Sequence, residues 1–118
     1  MVTLLDEFGA GFDRRVSLWR ERISELANQG QSMVLWGAGM RGVNFLNRFA
    51  DVNRFTHIVD VNEDRQGRYL PVSGYLIESP KILKHIKPAR VLITNANYVQ
   101  EIRAELISMG LDPITETL

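Results

Sequence analysis

Hydrophobic positions follow a helical rhythm at the start of the chain and alternate between two rhythms after it. Phe12, Val16, Trp19, Ile23 and Leu26 recur at intervals of four, three, four and three, which is one stripe on a helix predicted over residues 12–28. Arg14, Arg15, Arg20, Glu21, Arg22 and Glu25 fill its other faces. Gly9 and Gly11 argue against an earlier start, Asp13 can cap the first turn, and Asn28-Gln29-Gly30 supplies a left-handed stop. Ser32-Met33-Val34-Leu35-Trp36 is then nearly continuous in apolar residues, as a strand buried on both faces of a parallel sheet requires. Gly37 ends that strand. Val43, Phe45, Leu46, Phe49 and Ala50 return to helical spacing, so the order is strand, glycine turn, helix.

Phe55 to Val59 reads as a second strand with Asp60 at its carboxyl end, and residues 61–74, polar and punctuated by Gly67, Pro71 and Gly74, read as a long loop. Tyr75-Leu76-Ile77 is a third strand. Ser79-Pro80 opens a short helix that Pro88 closes, because serine caps and proline fits the first turn. Arg90 to Thr94 is a fourth strand, and Ile102, Leu106 and Met109 share one face of a helix from Tyr98 to Met109, before Gly110. Strands alternating with helices predict an α/β fold: a small Rossmann-like, doubly wound, mainly parallel sheet of four to five strands behind an N-terminal helix. One domain is expected over residues 1–118, with its α/β core over 32–118. Right-handed crossovers gather the strand carboxyl ends on one edge, where a ligand would bind.

Composition removes several function classes. At 118 residues there is room for one core and not for a complete multidomain enzyme. Fourteen Lys and Arg are cancelled by fourteen Asp and Glu, which leaves no global field to hold nucleic acid or an anionic membrane, so an anion must be bound by local geometry. Lys81, Lys84, His85, Lys87 and Arg90 form a basic cluster of the kind that usually lies on a solvated face. The absence of cysteine excludes disulfides, thiolate catalysis and thiolate metal sites. No apolar stretch approaches the ~20 residues of a membrane span, and Asp6 and Glu7 stand where a signal peptide would carry positive charge; a cytoplasmic protein is expected. His57 and His85 fall at no spacing that joins them to a catalytic set, and no metal-ligand spacing occurs.

The chemistry concentrates in Gly37-Ala38-Gly39-Met40-Arg41-Gly42, a G-x-G-x-x-G placed between a predicted strand and a predicted helix. The first glycine permits the turn, the second lets backbone approach a phosphate, and the third allows close helix packing. Asp60, eighteen residues after Gly42, stands where a carboxylate accepts ribose hydroxyls. Asn95, Asn97 and Tyr98 follow the fourth strand on the same edge and offer hydrogen bonds to a sugar or base; equally, either asparagine can cap the last helix. Nucleotide binding is the leading reading, against glycines that only shape a turn and an aspartate that only caps a loop. Leu35-Trp36, where methyl-donor loops carry an acid, disfavour direct binding of S-adenosylmethionine. A dinucleotide spans two mononucleotide halves, so a mononucleotide or nucleotide-sugar diphosphate suits this size better. An NAD(P)-binding module and a structural module docking through Trp19 stay open as alternatives.

The sequence also resembles the C-terminal domain of sugar C-methyltransferases that act on nucleotide-linked deoxysugars. The likeness covers nearly the whole chain, through Trp36 to Gly42, Val59-Asp60-Val61-Asn62, Gln66-Gly67-Arg68-Tyr69-Leu70-Pro71, Ile77, Pro80, Asn97 and Glu101-Ile102. The resemblance implies a parent enzyme dependent on S-adenosylmethionine, with catalysis in an upstream methyl-donor domain and none in this chain. This domain would bind no cofactor alone and would hold the nucleotide-sugar: Gly37, Gly39, Arg41 and Gly42 at the diphosphate, Asp60 at the ribose, and Asn95, Asn97 and Tyr98 at the sugar or base. Arg41 stands where family members often have Lys, which turns a point charge into a fork.

Overall fold

The computed structural model describes residues 17–49, 55–70 and 73–117. All four side chains of β1 (Met33–Trp36) are buried, and successive ones point to opposite faces of the sheet. Met33 and Leu35 pack with Ile23 and Leu26 of a helix over 17–28 (α1) and with Phe45 and Leu46 of α2 (Met40–Arg48). Val34 and Trp36 face the other way and pack with Leu83, Ile102 and Leu106. A strand apolar on both faces has thus been given an apolar layer on each.

The remaining strands are β2 (His57–Val59), β3 (Ile77–Glu78), β4 (Arg90–Ile93) and β5 (Ile114–Thr117). Their spatial order is β3-β2-β1-β4-β5, and every pairing is parallel. A 3₁₀ turn (Pro80–Ile82) and α3 (Leu83–Ile86) connect β3 to β4, while α4 (Val99–Ser108) connects β4 to β5. The chain therefore builds outward from β1 to β3 and then returns to the other side of β1. That reversal opens a crevice between the carboxyl ends of β1 and β4, the place where doubly wound sheets bind ligands. The Rossmann-like α/β fold expected from the spacing is the fold observed.

Local departures have identifiable causes. The expected start of α1, with Phe12, Asp13 and Val16, lies outside the described residues, as does Ala50. Helix α2 begins at Met40 rather than Val43, because Gly39 is extended (φ −75°, ψ −168°) and acts as its N-cap. The third strand is Ile77–Glu78 rather than 75–77, since Leu76 instead forms an antiparallel bridge with Tyr69 that folds the preceding loop back on itself. Strand β5 is the fifth of the four to five strands expected, at a place no local signal marks: at the sheet edge its residues run exposed, half-buried, half-buried, exposed, without an apolar run. Ser79 does cap the 3₁₀ turn, its Oγ accepting from the Lys81 N–H at 3.3 Å.

Trp19 is committed to this chain's own core. Its indole meets Phe45 edge-on with ring centroids 5.6 Å apart, and Phe45 in turn contacts Phe49 and Phe55. Trp19 is half-buried in this packing.

Helix α1 is fastened to the far edge of the sheet by Glu116 of β5, which accepts from Arg22 Nε at 2.8 Å, from Arg22 Nη2, and from Arg90 Nη1 at 2.6 Å. The hydrogen bonds from Arg22, followed by the charges of Arg22 and Arg90, hold the Glu116 carboxyl below its ordinary value although burial opposes them. A carboxylate depressed in the folded state contributes stability that is complete above its unfolded pKa, near 4.5, and that is lost as pH falls through the lower folded value. Glu116→Gln is expected to cost about 1 kcal/mol at pH 7, roughly 4 °C in Tm. Thermal denaturation should show that difference shrinking below about pH 4.

Candidate functional site

The three glycines before and within α2 have different physical roles. Gly37 has φ +115°, and a Cβ there would stand 2.1 Å from Thr94 Oγ1, so only glycine lets the chain turn past β4. A Cβ on Gly42 would stand 2.1 Å from the Gly37 carbonyl oxygen, which is how closely α2 lies on the turn. Gly39 is different: a Cβ would meet only the Arg65 guanidinium, at 3.4 to 3.6 Å. Its missing side chain leaves a surface rather than relieving a clash.

Helix α2 presents its amino end at this surface. The first helical bond runs from the Val43 N–H to the Gly39 carbonyl at 3.0 Å, so the N–H groups of Met40, Arg41 and Gly42 have no acceptor within the helix. No acidic residue occupies the first turn, so the positive end of the helix dipole is not neutralised there.

Asp60, placed just beyond β2, is 5% exposed. Its Oδ2 accepts from the Ala38 N–H at 2.8 Å and from Arg65 Nη1 at 3.0 Å, and its Oδ1 accepts from the Asn62 N–H at 2.9 Å. Its main-chain oxygen accepts from Gln66 Nε2 at 2.8 Å. The carboxylate thus pins the glycine turn and the following loop together, a role beyond the one its spacing suggested. With a single donor, Oδ1 keeps a lone pair for a further hydroxyl.

A cleft of about 680 Å³ opens at this edge. Of the residues singled out from the sequence, Gly37, Gly39, Arg41, Asp60, Asn95 and Tyr98 line it. Gly42 is buried beneath the turn, and Asn97 is not in the lining. Asn95 caps the 3₁₀ turn Ala96–Tyr98 that leads into α4 rather than α4 itself, its Oδ1 accepting from the Asn97 N–H at 3.0 Å; its amide N–H₂ is still a donor. Arg65, Thr94, Glu101 and Glu105 also line the cleft. Glu101 was signalled only through the family resemblance, and Arg65 by nothing in its local sequence, because only the loop's folding returns it to Gly39. The cleft is therefore bipolar: Arg41, Arg65 and the amino end of α2 on one side, Glu101 and Glu105 of α4 on another.

The other candidates disperse. Lys81, Lys84, His85 and Lys87 are exposed, whereas Arg90 is bonded to Glu116. His57 lies on β2, 4.0 Å from Glu78 of the adjacent strand. Among the described residues no group of three His, Cys, Asp or Glu is placed to hold a metal, and no helix is long and apolar enough to cross a membrane.

Comparison with known proteins decides the family. Residues 2–110 match the C-methyltransferase C-terminal domain. The chain belongs to that family. No curated protein matches the sequence. Among solved structures, the domain is similar to UDP-D-quinovosamine 4-dehydrogenase from Vibrio fischeri, with TM-score 0.55 and 21% identity over 72% of this chain and 76% of that one. It is also similar to RSP, a Rex-family repressor, with TM-score 0.56 and 14% identity over 83% of this chain and 58% of that one. RSP in complex with beta-NADH gives TM-score 0.55 and 15% identity over 75% of this chain and 53% of that one. These likenesses establish the shared Rossmann-like fold.

The glycines should separate by substitution. Gly42→Ala is expected to destabilise the domain by about 3 kcal/mol, because a methyl must displace backbone. Gly39→Ala should stay within about 1 kcal/mol, since only the end of a flexible side chain must yield. Chemical denaturation of the two variants checks the contrast.

Proposed function

We propose that this domain holds a nucleotide-linked sugar for a C-methyltransferase and supplies position rather than chemistry. The observation that carries the reading is the cleft at the strand-order reversal, where the Arg65 guanidinium lies against Gly39 beside the amino end of α2. Such a surface suits the two charges of a diphosphate. Gly37, Gly39 and Arg41 contact it, while Gly42 contributes by holding α2 close to the turn. Asp60 Oδ1 takes a ribose hydroxyl, and the Asn95 amide and the Tyr98 ring and hydroxyl take the base or sugar. Asn97 fixes Asn95 through its N–H.

Membership in the C-methyltransferase family supports S-adenosylmethionine as the methyl donor of the parent enzyme. The donor belongs to another domain. Here Leu35 and Trp36 are both buried in the sheet ahead of the turn, and no carboxylate stands there to meet the donor's ammonium group. What the domain contributes is orientation: phosphate and ribose contacts fix the sugar so that its reacting carbon faces the upstream domain, converting an encounter into a positioned reaction.

Gly39→Asp tests this without unfolding the domain. Its backbone is extended and open to any residue, and an N-cap aspartate satisfies helix donors, so Tm should hold or rise slightly. The same carboxylate occupies the donors and the charge that a diphosphate needs. In amide NMR titrations with a thymidine-diphosphate sugar, wild-type shifts at Gly37, Gly39 and Asp60 are expected to disappear in the variant. Shifts with NAD alone would instead identify a dinucleotide module. Asp60→Ala is a poorer test, since it strips acceptors from Ala38, Asn62 and Arg65 and so affects folding as well as binding.

A further inference from the structure

After Val61 the loop to Arg68 has no apolar side chain and carries charges of both signs, but its conformation is specified bond by bond. Asp64 N–H donates to Asn62 Oδ1 at 3.0 Å and Arg65 N–H to the Asn62 carbonyl at 3.0 Å. Gly67 N–H donates to the Ile77 carbonyl and Ile77 N–H to the Arg68 carbonyl, both at 2.8 Å, which anchors the loop to β3. Asn62 and Gln66 both reach back to Asp60. Glu63 and Asp64, the loop's own acids, are absent from the cleft lining, whereas Arg65 is present. The loop thus delivers one cation to the site.

The placement of that cation is specific. Nη1, Nη2 and Cζ of Arg65 all lie 3.4 to 3.6 Å from the Cβ position of Gly39, so the guanidinium covers the residue that caps α2. One N–H is held by Asp60 Oδ2 at 3.0 Å, and the side chain is still 45% exposed against 7% for Asp60. Guanidinium carries five donors in a planar fork, which leaves several for a ligand. Because Asp60 already fixes its orientation, little further rotamer freedom is lost on binding. Arg41, exposed on the first turn of α2, makes no ion pair among the described residues and has no such anchor.

Resting on the nucleotide-sugar reading, we propose that Arg65 is the specificity-determining residue for the diphosphate, forking two phosphate oxygens beside Gly39 at the amino end of α2, with Asp60 as its positioning residue. Preference for diphosphate over an uncharged nucleoside then resides in a residue of the loop after β2, outside the glycine turn.

Calorimetric titration of the 118-residue chain with thymidine 5′-diphosphate, and with uridine 5′-diphosphate in parallel, tests this at several salt concentrations. Arg65→Gln is expected to weaken binding roughly tenfold to a hundredfold and to flatten the dependence of Kd on salt. Arg65→Lys should recover part of the affinity, because it restores charge without the fork. Arg68→Gln, on the same loop but outside the cleft lining, should bind as wild type. Asp60→Asn should weaken binding in the wild-type background and cost less in Arg65→Gln, where only its ribose contact is left to lose, the signature of acting in part through that residue. Wild-type affinity in Arg65→Gln would overturn the role of Arg65 while the nucleotide reading stands. Failure of the wild-type chain to bind either diphosphate would overturn both. Additive losses in the double variant would overturn the positioning role of Asp60.

Discussion

The Asp60 carboxylate receives hydrogen bonds from the glycine turn through Ala38, from its own loop through Asn62, and from the side chain of Arg65. A carboxylate this far from water persists only with such partners. Satisfying it therefore closes the glycine turn and the loop after β2 around the end of that strand in one step, and the shape of the cleft follows. Gly37 N–H donates to the Val59 carbonyl at 2.8 Å and Thr94 N–H to the Trp36 carbonyl at 3.1 Å, so the turn is also stitched to β2 while β4 is stitched to the end of β1. The site inherits the rigidity of the sheet.

Around that polar tie the framework is apolar and two-sided. Leu35 and Ile58 serve the layer beneath α1 and α2, and Val34, Val59 and Ile93 serve the layer beneath α3 and α4. Residues with no exposure at all, such as Leu35, Val34 and Ile58, each contribute about 1.5 to 3 kcal/mol of burial, which fixes the strand order and with it the crevice. Polar clamps act only at the margins: Glu116, with Arg22 and Arg90, joins the first described helix to the last strand. Apolar layers set where the elements lie, and charged groups set how the edges meet.

The same sheet serves a dehydrogenase and a repressor at 14 to 21% identity. Shared architecture at that distance reflects packing and crossover rules rather than shared chemistry. At its carboxyl edge this domain carries a cationic side at α2 and the loop after β2, an anionic side on α4, and exposed Met40, Val61 and Tyr98 beside them. An edge of this kind can grip a ligand having both charged and planar parts.

Much of this was legible along the chain. The apolar run of β1 read as a two-sided strand, the glycines after it as a turn into a helix, and Asp60 fell at the next strand's end, because periodicity and backbone sterics are local properties. Ile114 to Thr117 escaped notice because an edge strand needs only one neighbour and no continuous apolar run. The alternation of strands and helices, the parallel sheet and the position of the glycine turn all follow from local pattern along the chain. Folding had to bring segments together before Gly39 could lie against the Arg65 guanidinium while Gly37 and Gly42 relieve clashes, before Asp60 could bind the turn as well as face the cleft, and before Arg65 could stand beside the amino end of α2. Those facts depend on contacts between segments distant in the chain, and no spacing within a single segment encodes them.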